Sequence, residues 1–214
     1  MPFYLGIDPA SAPRRPSAFA VLDDQGSLHD LGLVREDEEL LALARRWRPR
    51  YLAIDAPLSL PQGLCCLEES CPCAPASPDG LKAAERALLK EGIGLFRTTK
   101  RSIIKAMVYR AIGLRRALEE RGYAVMEVYP YASKVRLFGR PIPKKSTKAG
   151  RQWLRQRLEG LVPGLREHSR LLSHDQLDAV VAAYTAYLHR QGQAEAMGDP
   201  QEGVIYVPKT RAVQ

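Results

Sequence analysis

The 214 residues include 45% hydrophobic and 26% charged side chains, an ordinary globular balance that excludes global disorder. No apolar run approaches the ~20 residues that span a bilayer, and "MPFYLGIDPAS" lacks a basic segment followed by a long apolar one; no membrane partner is expected, and the expected compartment is the cytoplasm. A formal net charge of +8, unevenly placed, suits a polyanionic partner such as nucleic acid and equally a solvated surface that aids solubility.

The length suits one sizeable core and is short for two, so residues 1–214 are read as one domain. "FYLGID" (3–8) is a strand candidate closing on Asp8. "SAFAVLDD" (17–24) and "LHDLGLV" (28–34) flank "QGS", which reads as a hairpin connection. "EDEELLALARRWRP" is an amphipathic helix with acids first, bases last and Pro49 as its stop. "RYLAIDAPLSLP" gives an apolar strand, Asp55 and a proline-rich exit into a Cys/Pro-rich loop at about 61–79. From Leu81 to Gly122 the pattern is mainly helical, followed by a strand over 123–130 carrying Glu127 and a helix from near Thr147 to Leu161.

"SHDQLDAVVAAYTAYLH" (173–189) opens on a capping box, Ser173 with Gln176, in which each side chain satisfies a free backbone N–H. Leu177, Val181, Tyr184 and Leu188 form a bulky stripe, while Ala179, Ala182, Ala183 and Ala186 make a thin face suited to close packing. A short tail from about 191 ends in "EGVIYVP", read as a strand or as an extended surface segment. Three leading strands, then alternating helices and strands, describe an α/β fold: an RNase H-like mixed sheet with helices on both faces.

Asp8 and Asp55 each close an apolar strand, where ligands of open α/β sheets gather. Carboxylates placed together repel, so a cation is their natural partner. If the last helix delivers Asp178 and Asp175 to the same place, these four acids suit Mg²⁺ or Mn²⁺ and metal-assisted phosphoryl transfer. Asp178, on the seam between the helix faces, is the stronger candidate. Asp175 is divided between ligand and helix-dipole partner. Glu127 is either an outward-facing strand acid or a group that completes the shell and orients water. His174 reads as a surface residue beside the cap.

Two stretches rich in Lys and Arg, 96–110 and 133–157, supply candidate contacts to a nucleic-acid backbone: Arg97, Lys100, Arg101, Lys105, Lys134, Lys144, Lys145, Lys148 and Arg151. Phe138 and Trp153 are equally candidates for base stacking and for the core. All four cysteines fall in "CCLEESCPC" as Cys65, Cys66, Cys71 and Cys73. They leave open a local metal site, disulfides or free thiols. Because the paired C-x-x-C knuckles of common zinc sites are missing, a structural staple or free thiols is favoured.

"GIDPAS...AFAVL" and "HDQLDAVVAA" resemble the two ends of RuvC-type Holliday-junction resolvases. "AIDAPLSLP", the pair Glu85 and Arg86, "MEVYP", "HDQLDAVVAAYTA" and "EGVIYVP" more closely resemble the domain-of-unknown-function family 429, predicted nucleases with an RNase H fold. The resemblance implies a metal site of Asp8, Asp55, Asp178 and Asp175, with Glu127 and Glu85 as weaker members. Asp55 stands where resolvases carry a glutamate. An actin-like kinase is disfavoured, since "DPASAPRRPS" lacks the glycine of a phosphate loop. The resulting expectation is a divalent-metal-dependent nuclease acting on DNA or RNA, against the alternative of a non-catalytic nucleic-acid-binding or scaffold protein.

Overall fold

The computed structural model describes residues 1–10, 15–168 and 171–210; residues 11–14 of the glycine-free segment lie outside them. Its strands are β1 (Tyr4–Asp8), β2 (Ser17–Leu22), β3 (Leu28–Val34), β4 (Tyr51–Ile54), β5 (Val125–Val128), β6 (Ala194–Asp199) and β7 (Gly203–Pro208). Its helices are α1 (Asp37–Trp47), α2 (Ala83–Lys90), α3 (Lys105–Glu119), α4 (Pro130–Phe138), α5 (Lys148–Glu159) and α6 (His174–Arg190). All seven strands join one mixed sheet in the order β3-β2-β1-β4-β5-β7-β6. The first three strands are antiparallel neighbours, while β1, β4, β5 and β7 run parallel.

Helices cover both faces, as expected. Leu5, Ile7, Leu52 and Ile54 pack with Leu40 and Leu43 of α1 and Leu114 and Leu118 of α3. On the other face, Tyr4 and Ala53 pack with Ala182 and Ala186 of α6. Among the described residues no helix is long and apolar enough to cross a membrane.

Three local features differ from the expectation. The helical pattern over 81–122 is broken between Lys90 and Lys105, where Gly92 (φ 70°) closes α2. Helix α4, unmarked by periodicity, starts directly after β5 with Pro130 in its first turn, the position where a missing N–H costs nothing. The terminal segment is more than a surface strand, because "AEAMGD" forms β6 and its hairpin with β7 extends the sheet beside β5. That hairpin is braced by Glu202, whose carboxylate accepts the backbone N–H groups of Gln62 and Ala83.

Helix α6 crosses the sheet with almost no space beneath it. A Cβ added to Gly6 of β1 would lie 2.1 Å from the Ala179 carbonyl oxygen and 2.3 Å from the Ala183 nitrogen. The thin face works as read: Ala179, Ala182, Ala183 and Ala186 are all completely buried. Ser173 accepts from Gln176 N–H at 3.1 Å and Gln176 Oε1 from Ser173 N–H at 3.0 Å, so the capping box is present. Because both atoms facing Gly6 are backbone, they have no rotamer with which to yield. Gly6→Ala is expected to cost about 3 kcal/mol or more, read as a lowered urea midpoint. An unchanged midpoint would contradict the close contact.

Candidate metal centre

Strand parity decides which acids meet. Side chains alternate along a strand, so Asp8 shares the α6 face with Tyr4 and Gly6, while Leu5 and Ile7 take the other. On β4, Asp55 follows Ile54 and shares the parity of Ala53, again toward α6. The register pairs Ile7 with Ile54, and the Asp55 N–H donates to the Ile7 carbonyl at 2.9 Å. The two aspartates therefore leave neighbouring strand ends side by side. Asp178 enters from α6, and one carboxylate oxygen from each of Asp8, Asp55 and Asp178 lies within 4.8 Å of the others.

The three acids differ in charge. Burial works against the Asp178 carboxylate, yet Lys134 Nζ on Oδ1 and Lys145 Nζ on Oδ2, each at 2.8 Å, outweigh it and hold its pKa below the ordinary range. Among the described residues Asp8 makes no lysine pair. Burial and then the charges of Asp55 and Asp178 push it well above the usual carboxylate range. Burial and Asp178 push Asp55 up to about 7 against the opposing lysines. Lys145, although burial disfavours its charge, is held above its usual range by Asp178, Asp55 and Asp8.

Asp8 Oδ2 is buried and has no hydrogen-bond partner among the described residues. An unpartnered carboxylate oxygen beside two more acids is the environment a hard divalent cation satisfies, and an all-oxygen donor set suits Mg²⁺ or Mn²⁺. The cluster opens into a cleft of about 780 Å³ also lined by Asp175, Glu127, Tyr129, Phe96 and Lys144.

Other candidates take different places. Asp175 lines the cleft with its side chain 42% exposed, and its Oδ1 lies 2.7 Å from His174 Nδ1. Glu127 shares the parity of Val125, which packs with the α1/α3 layer, and so points away from α6. Its carboxylate receives Lys82 Nζ at 2.7 and 2.9 Å and the Leu58 N–H at 2.8 Å. Glu85 is buried and accepts the N–H groups of Lys82 and Thr98, which makes it a brace for α2.

Among the basic candidates, Lys134 requires correction. It is 3% exposed and spends its ammonium on Asp178, so it offers no charge to a polyanion. Lys100 donates to the Cys71 carbonyl and Arg151 to that of Ser146, and Lys105 is half-buried. Arg97, Arg101, Lys144 and Lys148 are exposed, and Lys145 is half-exposed on Asp178. Phe138 and Trp153 pack edge-to-face against the α5/α6 core. Sequence reasoning missed Lys82, a completely buried lysine. Its only signal was a single charge between Leu81 and the two alanines that begin α2.

Asp8 and Asp55 bind protons more tightly folded than unfolded. The stability they contribute is therefore full below the ordinary carboxylate pKa and is lost as pH rises through their folded values, for Asp55 about 7. Without divalent ions, stability is expected to fall between about pH 5 and pH 8. Asp8→Asn should flatten that fall and leave the ion-free protein more stable by about 1–3 kcal/mol at the alkaline end. Urea unfolding in chelator at both pH values checks this. Parallel curves for wild type and variant would refute the raised carboxyl pKa.

A family described as "Protein of unknown function (DUF429)" matches residues 6–203. Among curated proteins none matches the chain. A solved structure of Thermus thermophilus RuvC aligns with a TM-score of 0.50 at 18% sequence identity, over 89% of this chain and 96% of that one. At that identity the likeness establishes the fold, a mixed sheet of the RNase H-like kind. With nearly the whole chain matched by one family, the protein belongs to the DUF429 proteins of unknown function, built on an RNase H-like sheet.

Proposed function

We propose that the protein is a divalent-metal-dependent nuclease that hydrolyses phosphodiester bonds of DNA or RNA in the cytoplasm. The observation that carries this reading is the convergence of Asp8, Asp55 and Asp178 within 4.8 Å, with Asp8 Oδ2 buried and unpartnered. These three carboxylates would hold Mg²⁺ or Mn²⁺, with Asp175 at the rim as a fourth oxygen donor. When bound, the cation supplies Lewis-acid activation of water and charge neutralisation at the phosphate. Lys134 keeps Asp178 ionised and fixes its rotamer, a positioning role. Glu127, held by Lys82 and Leu58, is a positioning residue for the cleft wall beside β4 rather than a ligand. Lys144, Lys145, Lys148, Arg97 and Arg101 offer cationic contacts to a backbone, and exposed Phe96 at the cleft offers a stacking surface for a base.

The non-catalytic alternative rests on one specific observation. Lys134 and Lys145 already neutralise Asp178 without any ion, so part of the cluster is stable as an ion-pair network. Labelled single-stranded, duplex and branched DNA and RNA, incubated with Mg²⁺ or Mn²⁺, separate the readings. Asp8→Asn and Asp178→Asn are expected to lower cleavage by on the order of 100-fold or more, since even outer partners of metal sites are worth roughly 10–100-fold. Equal cleavage by wild type and both variants would sink the nuclease reading. Salt-sensitive binding without cleavage would favour the scaffold.

A further inference from the structure

Between β4 and α2, residues 55–82 contain no helix or strand. A structureless stretch of that length within a compact fold needs some other restraint. Its apolar anchors are few, with Leu67 the only completely buried hydrophobic side chain along residues 59–80. All four cysteines of the protein lie in this loop.

None of the four is disulfide-linked. One sulfur from each of Cys65, Cys66, Cys71 and Cys73 nevertheless lies within 4.8 Å of all the others, with Cys65 Sγ and Cys71 Sγ 3.5 Å apart. A tetrahedral zinc thiolate with bonds of about 2.3 Å has sulfur–sulfur edges of about 3.8 Å, the scale observed here. Disulfides would join sulfurs in pairs at about 2.05 Å and give no reason for two pairs to share one space. We propose that Cys65, Cys66, Cys71 and Cys73 bind one zinc ion as a closed tetrathiolate that clasps this loop. The sequence left a staple, free thiols or a local metal site open, and the four thiols are unlinked. In this proposal the cross-link is a metal ion rather than a disulfide.

The surroundings fit thiolates. Cys73 Sγ lies 3.8 Å from the Cys66 carbonyl, so the second cysteine pair is folded back onto the first. Lys100 donates to the Cys71 carbonyl, placing positive charge beside a centre that would carry two net negatives. Four protein ligands leave no open position, so the role is structural.

The clasp reaches past the loop. Leu67 N–H donates to Tyr109 Oη at 2.6 Å, and that hydroxyl donates to Glu68 at 2.9 Å, so the loop is tied to α3. Soft sulfur and hard oxygen donors also sort the metals, zinc to the loop and Mg²⁺ or Mn²⁺ to the acids.

The test uses the full chain, purified under reducing conditions. About one zinc per chain is expected by elemental analysis, released by an organomercurial in step with thiol modification. Cobalt substitution should give sulfur-to-cobalt charge transfer and the intense d–d bands of a tetrahedral site. The doubly substituted Asp8→Asn, Asp178→Asn protein should keep its zinc, which separates this site from the acidic one and leaves the outcome independent of the nuclease reading. Cys73→Ser should lose the zinc and become protease-sensitive within residues 61–80; if it fails to fold, the mercurial titration of wild type still decides. Four freely reactive thiols with no metal, a disulfide found by mass spectrometry, or bound iron would each overturn the proposal.

Discussion

Everything at the acidic end of this molecule depends on how closely one helix lies on one strand. With no side chain at Gly6, the backbone of α6 comes down on β1 at Ala179 and Ala183. Asp178 is the residue immediately before Ala179, and Asp8 lies two residues beyond Gly6 on the same face. The contact that sets the helix height therefore also sets the carboxylate separation. A larger residue at position 6 would raise the helix and draw Asp178 away from the strand ends, even though it touches none of the acids.

Charge is distributed over this scaffold unevenly. Two buried acids, Asp178 and Glu127, each receive at least one lysine ammonium, while among the described residues Asp8 and Asp55 receive none, and burial with the neighbouring acids raises both, Asp55 to about 7. Burying a carboxylate without a partner costs free energy, and a fold seeking only stability would place an apolar side chain at Asp8. The cluster thus keeps a preformed set of oxygens at a cost in stability. Lys145 holds Asp178 from a half-exposed position, so one of the two cations is within reach of solvent and of ligands entering the cleft.

Much of this was legible in the sequence because local signals agreed with the fold. The capping box of α6, its alanine face, the two strand-closing aspartates and the three leading strands all carry short-range patterns, and all are found. What stayed hidden depended on register. Glu127 lies in an apolar strand covered on both faces, where hydrophobic alternation is erased, so nothing in "VMEVYP" tells which side the glutamate takes. Only its pairing opposite Ile54 settles that it turns from Asp55. Lys134 looked like a surface cation because its neighbours in sequence are basic, and α4 was hidden beneath that charge. The partner that buries it, Asp178, is 44 residues away. β6 was missed for a similar reason: "AEAMGD" has no strand pattern of its own and is held by its hairpin with β7.

The position of β7 bears on how the chain is made. Strand β5 lies between β4 and β7, and β7 comes from residues 203–208. Until that segment emerges from the ribosome, β5 is an open edge with unpaired backbone groups, and the Glu202 brace on Gln62 and Ala83 is missing. Asp178 also arrives late, some 120 residues after Asp55. The acidic cluster is therefore assembled only once α6 has followed β1 and β4, and a shorter nascent chain carries its strand acids without the helix that gathers them.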